Sequence, residues 1–195
     1  MAGPGNAGAG DVVRCGWATG DPGYARYHDE EWGTPLTGDD GLFERVCLEA
    51  FQSGLSWITI LRKREAFRAA FAGFAIDAVA AFTDEDVARL MGDPGIVRNR
   101  AKITAAVRNA RAAQQLPVGL SDLLWSFAPA VRPPRPRTLA EVPATSPESV
   151  AMARELKRRG FTFVGPTTAY ALMQATGMVD DHVVSCFRAG SPEPL

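Results

Sequence analysis

The chain is sparing with most of the residues that do chemistry. Among its 195 residues there are only two histidines, three cysteines and three lysines, against eighteen arginines. Three cysteines do not make a disulfide framework, and that points to a reducing compartment, the cytoplasm. No apolar run approaches the ~20 residues that a membrane span needs, so no membrane partner is expected. The first ten residues, MAGPGNAGAG, lack both a basic head and a continuous apolar stretch. They do not resemble a secretory signal and read as a disordered tail. Charge of either sign is nearly balanced, with a formal net of −1. The chain is therefore not coated in positive charge, although a local basic patch stays open. Lys63, Lys102 and Lys157 all fall on surface positions of predicted helices.

What is present is an ordinary globular composition, 46% apolar and 22% charged, long enough to bury a full core without a partner chain. A monomer is expected. The few cysteines and histidines are not scattered. Cys15 lies near His28, and His182 lies near Cys186, at opposite ends of the chain. Together they are the inventory of one tetrahedral Cys₂His₂ zinc site. Four protein ligands leave no open position, so such a site is structural more often than catalytic, and here it would tie the two ends together. His182 and Cys186 are four residues apart, so one helical turn would aim both at the same ion. Cys15 and His28 must come from a loop or short helices. The alternative is four residues placed independently for packing. Cys47 reads as a packing residue.

Most of the intervening sequence has apolar residues at spacings of three and four and no alternating strand, which predicts an all-α fold. A helix is expected over Asp39 to Gln52, with Leu42, Phe43, Val46, Cys47 and Ala50 inward, and another over Ser56 to Phe71 with Ser56 as its cap. Thr83 and Asp86 suggest a capping box starting a helix that runs to about Met91. Residues 128–145 hold five prolines and the basic run Arg132, Arg135, Arg137, and read as an extended surface connection. Helices are then expected from Pro147 to about Arg159 and from Pro166 to Thr176, stopped by Gly160 and Gly177.

Between the Thr83 helix and the next lies Gly92-Asp93-Pro94-Gly95, followed by IVRNRAKITAAVRNARAA, where Ile96, Ile103, Val107 and Ala110 suit a second helix. The pair, about residues 84–115, is a helix-hairpin-helix candidate. Backbone N–H groups at Gly95 and the helix start could hold a DNA phosphate, with Arg98, Arg100, Lys102, Arg108 and Arg111 adding positive charge. The alternative is a plain helical hairpin with a solvated basic face.

Trp17, Tyr24, Tyr27 and Trp32 crowd the Cys15 to His28 region, and Trp57 joins them from the second predicted helix. Rings held close together can form a slot for a planar ligand, more so if it is cationic, or they can simply be core. Glu49 lies one turn after Arg45, among Val46, Cys47, Leu48, Ala50 and Phe51. A carboxylate there is either solvated or buried for a purpose.

Four stretches carry a resemblance: RCGW at Arg14 to Trp17, YHDEEWG at Tyr27 to Gly33, CLEAFQSGLSW at Cys47 to Trp57, and GFTFVGPTTAYALMQATGMVDDHVVSC at Gly160 to Cys186. In motif order and spacing the chain resembles the DNA-3-methyladenine glycosylase I family over about residues 11–187. Only the first ten residues and a short tail over 188–195 fall outside. The resemblance implies a two-lobed helical fold of the helix-hairpin-helix glycosylase type, with structural Zn²⁺ on Cys15, His28, His182 and Cys186. It implies a partner, double-stranded DNA with alkylated bases, and hydrolytic removal of flipped-out 3-methyladenine. Trp17, Tyr24, Tyr27 and Trp57 would line the base pocket, Glu49 would bond the methylated adenine, and Leu55 would fill the gap left by the base. No lysine is suggested as a nucleophile, so an abasic site is the expected product, and Asp122 is expected to cap the helix containing Trp125. Against this stand a zinc-stapled DNA-binding module without catalysis, which has no use for Glu49 beside Trp57, and a zinc hydrolase, which needs an exchangeable coordination position.

Overall fold

The computed structural model describes residues 12–190, so the tail expected over 1–10 and the last five residues of the expected 188–195 tail lie outside the described residues. The described residues form α-helices and short 3₁₀ turns, several of them started by a cap or stopped by a break in the sequence, and no strand occurs among them. Helix α1 (Pro22–Glu30) starts where the Asp21 carboxylate accepts from the Gly23 and Tyr24 N–H groups, with Pro22 at its first position. Helix α2 (Asp39–Gln52) has the expected bounds and is buried on nearly all sides. Helix α3 (Trp57–Ala70) follows Ser56, whose hydroxyl pairs with Thr59 instead of a helix N–H; the Ile58 N–H goes to the Tyr24 hydroxyl at 3.0 Å.

A short helix α4 (Ile76–Ala80) occupies a stretch in which sequence pattern gives no helix signal, and it packs on α6. Helix α5 (Asp84–Gly92) begins as expected, the Asp86 carboxylate accepting from the Thr83 N–H at 3.0 Å. Helix α6 (Arg100–Gln114) starts later than its apolar pattern suggests. Ile96 is buried from the hairpin itself, and Asn99 caps the helix by accepting from the Lys102 N–H. Helix α7 (Leu120–Trp125) is not capped by Asp122, which sits inside its first turn. The carboxylate of Asp39, reaching over from the start of α2, accepts from the Ser121 N–H at 2.8 Å instead. Helices α8 (Pro147–Arg158) and α9 (Pro166–Ala175) match expectation, and residues 128–145 run without regular structure apart from a 3₁₀ turn at Leu139–Glu141.

Buried apolar side chains from α2 through α9 form one continuous core, centred on Phe43, Phe51, Phe67, Phe71 and Phe74. A separate small cluster of Cys15, Val183 and Cys186, flanked by Trp17 and Trp32, joins the two chain ends. No helix among the described residues is long and apolar enough to cross a membrane.

The join between the core and the chain ends rests on Gly177. Its φ is +74°, and a Cβ there would lie 2.8 Å from the Pro35 nitrogen and 2.9 Å from the Gly33 carbonyl oxygen. Both partners are backbone, so neither can move aside cheaply. Gly177→Ala is expected to destabilise the fold by more than about 2 kcal/mol. A lowered urea midpoint at unchanged slope checks this.

Candidate active site and metal-ligand cluster

A cavity of about 430 Å³ opens between the N-terminal segment, α2, α3 and α9. Its lining includes Trp17, Tyr24, Tyr27 and Trp57, so the four expected rings do converge. Trp17 meets Tyr24 edge to face at 5.7 Å, and Tyr27 leans on Trp57 at 5.4 Å. The two tyrosine rings are anchored by hydrogen bonds. Tyr24 is bonded to the start of α3, and Tyr27 accepts from the Arg45 guanidinium at 3.3 Å. The indole N–H of Trp57 is buried with no partner among the described residues.

Glu49 opens into the same cavity while only 5% exposed. Burial pushes its carboxyl up to about 7, and the Arg45 guanidinium one turn earlier opposes the shift. Arg45 lies 5.2 Å from the Tyr27 ring centre and 5.8 Å from that of Trp57. It pairs with Glu31, which also holds Arg64. Charge is thus layered: an acid in the cavity, rings forming its floor, and a guanidinium behind them.

Beside this wall, Cys15, His28, His182 and Cys186 are buried with their ligand atoms all within 4.8 Å of one another. Cys15 Sγ lies 3.7 Å from His182 Nδ1, and Cys186 Sγ lies 3.4 Å from His28 Nε2 and 3.6 Å from His182 Nδ1. A tetrahedron with Zn–S near 2.3 Å and Zn–N near 2.0 Å has edges of roughly 3.3–3.8 Å, so these three sulfur-to-nitrogen separations suit that ion. The non-ligating nitrogens are held too. His28 Nδ1 faces the Asp29 carboxylate at 2.9 Å, itself gripped by Arg14, and His182 Nε2 faces the Trp32 carbonyl at 3.3 Å. Burial pulls both imidazoles down, His182 to about 4, which favours the neutral ligating form. The segment from His182 to Cys186 is a turn closed by the Cys186 N–H on the Val183 carbonyl at 2.8 Å and not the helical turn expected.

The candidate DNA-facing residues divide. Leu55 is 41% exposed on the turn between α2 and α3, next to the cavity-lining Gln52 and Trp57. Arg98 and Arg100 are exposed at the start of α6. Lys102 is a correction: it is buried, and its ammonium donates to the Phe51 and Ser53 carbonyls, since the end of α2 lies against it. It cannot meet a phosphate from there. Gly95 is a partial correction. Its N–H is taken by Asp93 Oδ1 at 2.7 Å, and its carbonyl, with that of Pro94, accepts from Lys63.

A methyladenine glycosylase family profile matches residues 17–189. The chain belongs to the methyladenine glycosylase family of enzymes. It is 50% identical over 181 residues to DNA-3-methyladenine glycosylase 1 of Escherichia coli K12, covering 90% of this chain and 96% of that protein. A crystal structure of 3-methyladenine DNA glycosylase I superposes with a TM-score of 0.86 at 46% identity, over 90% of this chain and 98% of that one. A tyrosine-to-phenylalanine variant of a 3-methyladenine DNA glycosylase I, in complex with 3-methyladenine, gives a TM-score of 0.86 at 33% identity, over 92% and 99%. The all-helical fold is therefore shared with this family.

Sequence reasoning missed three polar lining residues: Gln52, Gln174 and Asp181. Gln174 carried a usable signal, a polar residue within the apolar run Ala169-Tyr170-Ala171-Leu172-Met173-Gln174-Ala175, the same signal that marked Glu49.

The raised carboxyl of Glu49 has a consequence for stability. The folded state holds this proton up to about pH 7 and the unfolded chain only to about 4.5, so stability falls as pH rises between those values. Glu49→Gln should therefore resist denaturant better than the parent at pH 8, by up to about 3 kcal/mol. The gap should close near pH 4.5. Equal midpoints at both pH values would mean that Glu49 is solvated.

Proposed function

We propose that this protein excises 3-methyladenine from alkylated double-stranded DNA by hydrolysing its glycosidic bond, leaving an abasic site. The observation that carries the reading is Glu49, a buried carboxylate opening into an aromatic cavity of about 430 Å³. Methylation at N3 puts positive charge on adenine, weakening the glycosidic bond and making the base a good leaving group. The protein then needs mainly to extrude the nucleotide, at a cost of a few kcal/mol, and hold the planar cation. Trp17, Tyr24, Tyr27 and Trp57 supply flat apolar contact. Glu49 in its charged form accepts from the base and balances its charge.

Helices α5 and α6 with the turn between them act as the helix-hairpin-helix in this reading, and Arg98 and Arg100 meet backbone phosphates. Leu55 fills the space left in the duplex. Cys15, His28, His182 and Cys186 would hold Zn²⁺, and with four protein donors its role would be structural. Its thiolates suit a reducing compartment, so we place the protein in the cytoplasm, acting as a monomer. No lysine lines the cavity. That supports a monofunctional enzyme.

The deciding assay incubates the protein with methylated duplex DNA and follows released bases. Free 3-methyladenine and abasic sites are expected, and tight binding without release would favour a DNA-binding module instead. In single turnover, Glu49→Gln should slow excision by roughly 10- to 100-fold, the worth of a hydrogen bond to a charged group. Parental excision should decline below about pH 7 as Glu49 gains its proton. Excision by Glu49→Gln at the parental rate would remove Glu49 from the site.

Metal analysis should find one zinc per chain. Cys15→Ala and Cys186→Ala should each lose it and lower Tm by several degrees or more. A metal-free chain that melts where the parent does would overturn the zinc assignment.

A further inference from the structure

One wall of the cavity has no part in the proposed function. Gln174 lies in the last turn of α9, four residues after Tyr170, so the two side chains share a face. Asp181 follows the Gly177 turn and is buried beside them. A single oxygen of its carboxylate, Oδ2, accepts from the Tyr170 hydroxyl at 2.8 Å and from Gln174 Nε2 at 2.7 Å. Burial and the bond to Asp181 both push the Tyr170 hydroxyl up, so it stays protonated and donates.

This arrangement removes the usual ambiguity of a glutamine amide. A carboxylate accepts and does not donate, so Gln174 must turn its NH₂ toward Asp181 and its carbonyl oxygen away. No donor among the described residues reaches that oxygen, while Gln174 and Glu49 line the same cavity. Gln52 also lines it, but no hydrogen bond from the described residues fixes its amide, so it can offer either end.

We propose that Gln174, locked by Asp181, is a specificity-determining residue that accepts a hydrogen bond from the exocyclic amine of the extruded purine and so favours methylated adenine over methylated guanine. This rests on the function proposed above. The amine at C6 of adenine carries two N–H groups, one for Glu49 and one for Gln174. Guanine has a carbonyl oxygen at C6, which would face two acceptors and leave all three oxygens without a proton between them. A site whose acceptors are cut off from water by the bound base rejects such a base more strongly than an apolar one could. Asp181 is a positioning residue in this scheme, acting only through the amide that it orients.

The test measures release of 3-methyladenine and 3-methylguanine from the same methylated DNA in single turnover. Gln174→Leu and Gln174→Met should lower the adenine-to-guanine ratio about five- to tenfold, chiefly through slower adenine release. Asp181→Asn should lower the ratio as well, because an asparagine can donate or accept and no longer fixes the amide. Tyr170→Phe leaves the Gln174 bond in place and should keep the ratio. An unchanged ratio in both Gln174 variants, including one in which both rates fall together, would overturn the assignment. Release of neither base by the parent protein would instead remove the proposed function, so the two failures are distinct.

Discussion

The cavity depends on keeping one carboxylate out of water. An ionised acid buried without a partner is costly, and burial accordingly raises the carboxyl of Glu49. The surroundings reduce it without abolishing it. Arg45 stands one turn away on α2, close enough to oppose the shift, yet its hydrogen bonds go to Tyr27 and Glu31 and not to Glu49. Were Arg45 paired directly with Glu49, the acid would be neutralised and would have little left to offer a cation. Arg64 closes the arrangement by clasping Glu31 from α3. The guanidinium is held behind the rings, and the acid is left facing the cavity.

That arrangement needs walls from distant parts of the chain. Trp17 sits in a 3₁₀ turn of three residues, too short to hold a large ring by itself. It is fixed by packing against His28 at 5.3 Å and Trp32 at 5.1 Å, both tied to the Cys/His cluster. The Arg14 to Asp29 to His28 chain of contacts and the Trp32 carbonyl on His182 make the cluster and the aromatic wall one structure. Gly33, with φ +77°, lets the chain turn there, since a Cβ would lie 3.0 Å from His182 Nε2. Loosening the chain ends would therefore loosen the wall that faces Glu49.

Much of this was legible from the residue pattern, for reasons that can be named. Helices α2, α8 and α9 had strong apolar periodicity and clear punctuation at Ser146, Pro147, Gly160, Pro166 and Gly177, where local chemistry and tertiary packing agree. The Cys/His inventory was legible because so few such residues exist. Helix α4 escaped because five residues carry too little period to read. The Asp122 cap failed because the cap came from another helix, through Asp39, and local pattern cannot see across 82 residues. The turn from His182 to Cys186 shows that a spacing of four is compatible with shared ligation without a helix. Gln174 was hidden by being read as one residue of an apolar helix, when its meaning lies in the contact with Asp181.

Lys102 and Lys63 show most clearly how charge type and charge role part company. Lys102 looks like a phosphate ligand in sequence and Lys63 like a plain surface cation, yet each ammonium is taken up by carbonyl oxygens beside the hairpin. Lys102 sits where α2 ends, the position at which a cation is favoured by the last carbonyls of a helix. From there it joins the start of α6 to the turn that carries Leu55. Lys63, on α3, joins the same hairpin to the helix that starts with Trp57. The hairpin, the Leu55 turn and the cavity edge are consequently coupled through two buried or half-buried cations. With Arg98 and Arg100 left at the surface, positive charge is divided between holding that edge rigid and presenting it. A net charge of −1 conceals the division, because Arg14, Arg45, Arg62, Arg64, Arg68, Arg89, Arg135, Arg158 and Arg159 are all matched by carboxylates elsewhere. Where cations are left without acids therefore says more about the face offered to a polyanion than any sum over the chain.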